Sequence, residues 1–280
     1  MVVQPAAIEL PYITDLDLPY TDGEIVENFA ELPQALLLTS AIRPVLDGLH
    51  EGGPYLIGSN SGIYWKRTDP PLSGCKSPDW FYIPGVPQTR PQDHTFRRSY
   101  VLWNEEVPPY LVVELVSGDG STERDDTENS GKFWVYENGI RAEYYAIFDA
   151  FRDGDLEVYE RHRGRFRLAH PNERGRYELP EMGVELGVWH GVFEQADQSW
   201  LRFYDDRGSM LPSIKENVEI TREAIRDAEE SRRRAERADL RTEQANRRAE
   251  EERQNSAELV AKMAALEEKL RAMGIDPSKL

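Results

Sequence analysis

The chain has 280 residues, more than one compact domain needs; its 39% hydrophobic and 30% charged residues mean that some segment is strongly polar. A net charge of −17 argues against tight, sequence-independent binding of nucleic acid over the whole surface, because gripping phosphates draws on Lys and Arg, although a local basic groove stays open. The single cysteine, Cys75, excludes an intrachain disulfide and a thiolate zinc cluster, and no apolar run approaches the ~18 residues of a membrane span.

Residues 1 to about 20 read as an irregular lead-in. The opening MVVQPAAIELPY has no basic stretch followed by an apolar one, so the expectation is a soluble cytoplasmic protein with no membrane partner. Phe29–Leu49 carries apolar residues at helical spacing, with a break expected at Pro44. Tyr55–Ile57 and Ile63–Trp65 read as short strands around a Gly-Ser-Asn turn. Asp79–Ile83 follows as a further strand, and after a long polar loop comes Tyr110–Val116, whose nearly unbroken apolar run is that of a strand buried on both faces. Ser117–Gly131 is an acidic loop, Lys132–Asn138 a short helix stopped at Gly139, and Tyr144–Phe148 another interior strand. Leu156–Glu160 and Arg165–Ala169 alternate around His162-Arg163-Gly164 and predict a hairpin.

Composition changes near Pro212. From Lys215 to Met273 there is no proline, glycine or aromatic residue. Alternating steps of four and three from Ala224 reach Ala228, Ser231, Ala235, Ala238, Thr242, Ala245 and Ala249. Continued through Glu252 and Ser256, they land on Leu259, Met263, Leu266, Leu270 and Met273. A seven-residue repeat held this long predicts a coiled coil, and residues 224–273 are expected to make the chain a homo-oligomer. A single solvated helix laced by Glu–Arg pairs is the alternative. From Glu216 onward there are 14 basic and 16 acidic residues, so −15 of the −17 belongs to residues 1–215. The expected division is therefore a lead-in (1–20), an α/β domain (21–212) and a helical tail (213–280).

Two carboxylates stand out. Asp79 opens an apolar strand and Glu114 interrupts another, in VVELV. A carboxylate there is costly to bury and needs a cation, a hydrogen-bond donor or a metal. Oxygen ligands at adjacent strand ends would suit Mg2+, with a nearby lysine orienting water; a buried Glu–Lys or Glu–Arg pair would satisfy the same residues without chemistry.

The blocks SPDWFYIPGVP, RRSYVLWNEEVPPYLVVELVS and KFWVYENGIRAEYYAIFD resemble, in order, those of the Uma-two family of restriction endonucleases in the PD-(D/E)XK superfamily. The ending LEEKLRAMGIDP is similar to the coiled-coil endings of longer members. The resemblance implies a restriction-endonuclease-like fold, a mixed β-sheet flanked by helices, here with a long C-terminal coiled-coil helix. It implies a DNA endonuclease dependent on Mg2+, with Mn2+ as a substitute. Catalytic residues would be Asp79, Glu114 and Lys132, and metal ligands Asp79, Glu114 and, by a looser match, Glu24. The superfamily's usual lysine position holds Val116, and Lys132 on the following helix would supply the ammonium instead. A non-catalytic nuclease fold acting in protein assembly is the other reading, favoured by Val116 and by the acidity. Arg97, Arg98 and Trp103 are weighed as phosphate and base contacts, and Arg161, Arg163, Arg165 and Arg167 as a basic strip on the hairpin; Glu143 is read as structural.

Overall fold

The computed structural model describes residues 13, 14, 17 and 29–273. Most of the expected lead-in, and Glu24 with it, lies outside the described residues. The chain divides into two units, Met1–Ile214 and Lys215–Leu280.

The first unit opens with α1 (Glu31–Leu49), where Leu38, Ile42 and Leu46 recur at helical spacing and are buried. The expected break at Pro44 does not occur, and the helix runs through it. Pro44 sits on the exposed face between buried Ile42 and Leu46, so packing holds both flanks while the side lacking a backbone donor faces water.

The strands are β1 (Tyr55–Gly58), β2 (Ile63–Tyr64), β3 (Cys75–Lys76), β4 (Trp80–Pro84) and β5 (Tyr100–Val101). After the helical turn α2 (Leu102–Glu105) come β6 (Leu111–Leu115), the short helix α3 (Lys132–Trp134) and β7 (Tyr144–Asp149). Then follow β8 (Asp155–His162), β9 (Arg165–Leu168), β10 (Tyr177–Leu179), β11 (Val184–Phe193) and β12 (Ala196–Tyr204). Beyond α3 the backbone continues as a π-helical turn, Val135–Ile140. The expected Leu156–Ala169 hairpin forms as β8 and β9, paired antiparallel.

The central sheet has the order β1-β4-β6-β7-β8-β9. β6 and β7 are its parallel pair, and the crossover between them carries the acidic loop and α3. Because side chains alternate across a strand, the sheet buries two faces. Leu111, Val113 and Leu115 of β6 face one core with Leu38, Ile42 and Leu46 of α1 and with Leu186, Leu201 and Phe203. Val112 and the following Val116 face the other, under Val135, Tyr136 and Ile140. A second sheet, β10-β11-β12, and a small third one, β3-β2-β5, complete the domain. Cys75 is buried and, as the single cysteine, takes part in no disulfide within the chain.

The second unit is a single helix, α4 (Ile214–Ala272, with Ile214 at the boundary), 59 residues long and with no buried residue. Ion pairs one turn apart lace its surface, among them Arg232–Glu236 at 2.9 Å and Lys262–Glu258 at 2.8 Å. Among the described residues no helix is long and apolar enough to cross a membrane.

Candidate active site

β4 and β6 run antiparallel with Trp80 opposite Val113 and Phe81 opposite Val112. Continuing that register by one residue sets Asp79 opposite Glu114. Asp79 shares a sheet face with Phe81, and Glu114 with Val112, so both carboxylates lie on the α3 side. Asp79 Oδ2 accepts the Leu115 N–H at 2.6 Å, which fixes its carboxylate against the end of β6. This is also the carboxyl end of a strand in the parallel pair, the edge at which open α/β sheets place their ligands.

The crossover delivers the cation. Lys132 stands at the first turn of α3, and its Nζ reaches Glu114 Oε2 at 3.0 Å and Glu123 Oε1 at 3.6 Å. One turn on, the Tyr136 hydroxyl donates to Glu114 Oε1 in a short hydrogen bond. Glu114 is therefore held at both oxygens while 1% exposed. The loop that presents Glu123 is itself pinned: the Tyr145 hydroxyl donates to the Glu123 carbonyl at 2.9 Å, and Arg124 donates to Glu157 and to the Gly120 carbonyl. Val116 is buried among apolar neighbours, so the ammonium enters from the helix and not from the strand.

Three carboxylates, Asp79, Glu114 and Glu123, share one lysine ammonium. The electrostatics follow from that imbalance. Burial and then the Glu114 charge push the Asp79 carboxyl up to about 9, while the Leu115 N–H and Lys132 pull the other way. Burial opposes the Lys132 charge, but Glu114, Asp79 and Glu123 together raise its pKa, so the ammonium stays protonated. A fourth acidic residue, Glu31 in the first turn of α1, is buried and lies near enough for its charge to act on Asp79.

Oxygen donors in negative excess suit a hard divalent cation. Among the described residues no group of three or more Asp, Glu, His or Cys side chains is placed to hold a metal ion. Two carboxylates whose shell is completed by water and phosphate oxygens are, in the kind of donor they supply, suited to a hard divalent cation.

Of the residues read from sequence, Asp79, Glu114 and Lys132 meet here, and Glu24 lies outside the described residues. Glu123, Tyr136 and Glu31 are additions. Tyr136 had a sequence signal, since it falls four residues after Lys132 on one helix face; Glu123, inside a polar loop, had none.

The Arg97 guanidinium donates to the Pro87 carbonyl at 2.9 Å and pairs with Glu105 at 2.5 Å. The hairpin is not a free basic strip. Arg161 donates to the Glu137 carbonyl at 2.5 Å and Arg165, itself exposed, to the Glu137 carboxylate at 2.6 Å, while Arg163 and Arg167 are exposed as well. Glu143 is exposed just before β7, its N–H bonded to the Pro109 carbonyl. Trp103 lines an open cavity of about 420 Å³ with Trp65, Leu102, Glu106, Gly139 and Arg141. Arg67 lies over its ring, 5.5 Å from the centroid.

A mixed sheet with paired carboxylates at adjoining strand ends and a lysine brought in by the crossover defines a restriction-endonuclease-like α/β domain. The Uma2 family model, described as "Putative restriction endonuclease", matches residues 8–194, about two thirds of the chain. The protein belongs to this family. No curated protein and no solved structure gives a significant match to the chain.

Proposed function

We propose that the protein is a cytoplasmic, Mg2+-dependent DNA endonuclease that self-associates through its helical tail. The observation that carries the reading is the convergence of Asp79, Glu114 and Lys132 on one strand end, with Lys132 Nζ 3.0 Å from Glu114. Asp79 and Glu114 are the residues that would hold the ion, Mg2+ or in its place Mn2+. When bound, a divalent cation supplies Lewis-acid stabilisation of the negative charge that develops on phosphorus-bound oxygens.

The chain's own groups divide the remaining work. Tyr136 and Lys132 hold Glu114 in one orientation, so its carboxylate is preorganised before substrate arrives. The Lys132 ammonium, permanently charged, is placed to orient water and to offset negative charge at the scissile phosphate. Glu123 keeps the far side of that ammonium occupied, so it remains inside the site. Trp65 and Trp103, beside Lys66, Arg67 and Arg141, offer an aromatic and basic surface for an unpaired base. This strip would counter the domain's overall acidity locally.

The experiment is thermal unfolding with and without Mg2+ or Mn2+. The wild type is expected to gain stability with either ion, as any ligand of the folded state confers. Asp79→Asn and Glu114→Gln should abolish that gain. A wild type that responds no more than the variants would make this fold an assembly module without metal chemistry.

A further inference from the structure

The charges flanking the seam of α4 carry one more inference. We propose that the tail associates with a second copy of this chain in parallel and in register, so that both nuclease domains are attached to the same end of one coil. This deepens the self-association in the function proposed above and rests on it.

The seam residues of the C-terminal half, Leu259, Met263, Leu266 and Met273, are all exposed in the single helix. With Leu259, Leu266 and Met273 at one core position of the heptad and Met263 and Leu270 at the other, the flanking columns are fixed. The column preceding the second core position reads Asp227, Arg234, Arg241, Arg248, Asn255, Lys262 and Lys269: five basic residues and one acidic. The column following the first reads Ile225, Arg232, Asp239, Asn246, Arg253, Val260 and Glu267.

In an antiparallel pair each column faces its own copy, so the basic column would meet another basic column. In a parallel pair it faces the other column five residues further on. Asp227 then meets Arg232 of the second copy, Arg234 meets Asp239, and Lys262 meets Glu267. Arg248 against Arg253 is the single repulsive match. Three attractions against one repulsion in these flanking columns favour parallel strands, and a column with five basic residues of seven disfavours the alternative.

Apolar burial agrees. In-register parallel strands set Leu against Leu and Met against Met from Leu259 to Met273, and small residues, mostly alanine with Ser231 and Thr242, against their own copies from Ala224 to Ala249, with Glu252 and Ser256 meeting their copies between the two halves. A full-length antiparallel overlap would set each large side chain against alanine or a small polar residue and leave cavities along the seam. The small first half also lets the two backbones approach closely near the domains.

The test uses the full chain with single cysteines introduced at the two ends of the seam, Ala224→Cys and Met273→Cys, the native Cys75 being buried. After mild oxidation each variant alone is expected to form disulfide-linked dimers, and the reduced protein to show at least twice the 32.2 kDa chain mass. Disulfides that form only when the two variants are mixed would overturn the parallel arrangement while leaving self-association intact. A single-chain mass would overturn self-association itself. Lys262→Glu is expected to weaken association at least several-fold, and Lys262→Glu with Glu267→Lys to restore most of it. An antiparallel coil would instead be strengthened by Lys262→Glu, which places a carboxylate opposite the basic column.

Discussion

Glu137 shows how a single side chain fastens the crossover to the rest of the sheet. Its carboxylate accepts the Phe166 N–H at 2.7 Å and pairs with Arg165, joining the π-helical turn to β9. Burial pushes its pKa up, but the Phe166 N–H, Arg165 and Asn138 outweigh burial and hold it below the ordinary 4.5. A carboxyl whose folded pKa is depressed contributes stability that is fully present above the unfolded value and lost as pH falls through the folded one. Thermal unfolding between pH 6 and pH 3 should therefore show a fall in Tm below about 4.5, and Glu137→Gln should flatten that fall while lowering Tm at pH 6. An unchanged slope would mean that the bond network around Glu137 contributes nothing.

The same individual side chains mark what the sequence could and could not disclose about the site. Asp79 and Glu114 were legible because a carboxylate in an apolar strand is anomalous, and the strand register then places them opposite each other. Lys132 was legible only through the family resemblance, since a lysine opening a helix after an acidic loop is ordinary. Glu123 was invisible. It reaches Lys132 because the loop folds back on side-chain bonds such as Arg124 to Glu157, and no short spacing encodes that closure. For the hairpin arginines, alternation tells which face a residue occupies, not that Glu137 waits there for Arg165.

Elements built on continuous apolar runs were read well, because burial on both faces leaves a strong pattern. β4, β6 and β7 fall within a residue or two of their expected ends. The second sheet was missed: β11 and β12 carry glycine, histidine, glutamine and arginine among their apolar residues, so no clean period of two stands out. Arg202, for example, is buried and donates to the Leu211 carbonyl at 2.9 Å. The π-helical turn after α3 was also read simply as helix, since 3.6- and wider-period turns share one hydrophobic signal over seven residues.

Close packing between β1 and β4 gives a sharper expectation. Gly58 is paired with Phe81, and a Cβ built on Gly58 would lie 2.1 Å from Phe81 Cζ. No side chain fits unless that ring, fully enclosed on the α3 face, moves. Gly58→Ala should destabilise the domain by about 1–3 kcal/mol, the usual cost of overpacking a core. Urea unfolding would register this as a lower midpoint at unchanged slope. A midpoint equal to the wild type's would show that the β1–β4 contact is loose.

Taken as a whole, the molecule separates its physics along the chain. Residues 1–215 hold −15 of the −17 charges, and residues 216–280 are nearly balanced with 14 basic against 16 acidic residues. The tail is thus no basic arm for gripping DNA, and its regular repeat is what a partner helix requires. The acidity of the domain bears on the proposed DNA binding: it would rest on few local basic groups, and so few phosphate contacts would give only a shallow dependence on salt. Pairing two domains at one end of a coil would compensate by raising the effective concentration of the second site once the first is engaged.

The measurement that bears most directly on the central claim is cleavage of supercoiled plasmid by the purified full chain in Mg2+, with Asp79→Ala and Glu114→Ala alongside. Nicked and linear products are expected from the wild type, none without a divalent ion, and at least a hundred-fold loss in both variants. Variants that cut as fast as the wild type would show that Asp79 and Glu114 are not the catalytic carboxylates. A wild type inert in both Mg2+ and Mn2+ would contradict the nuclease assignment.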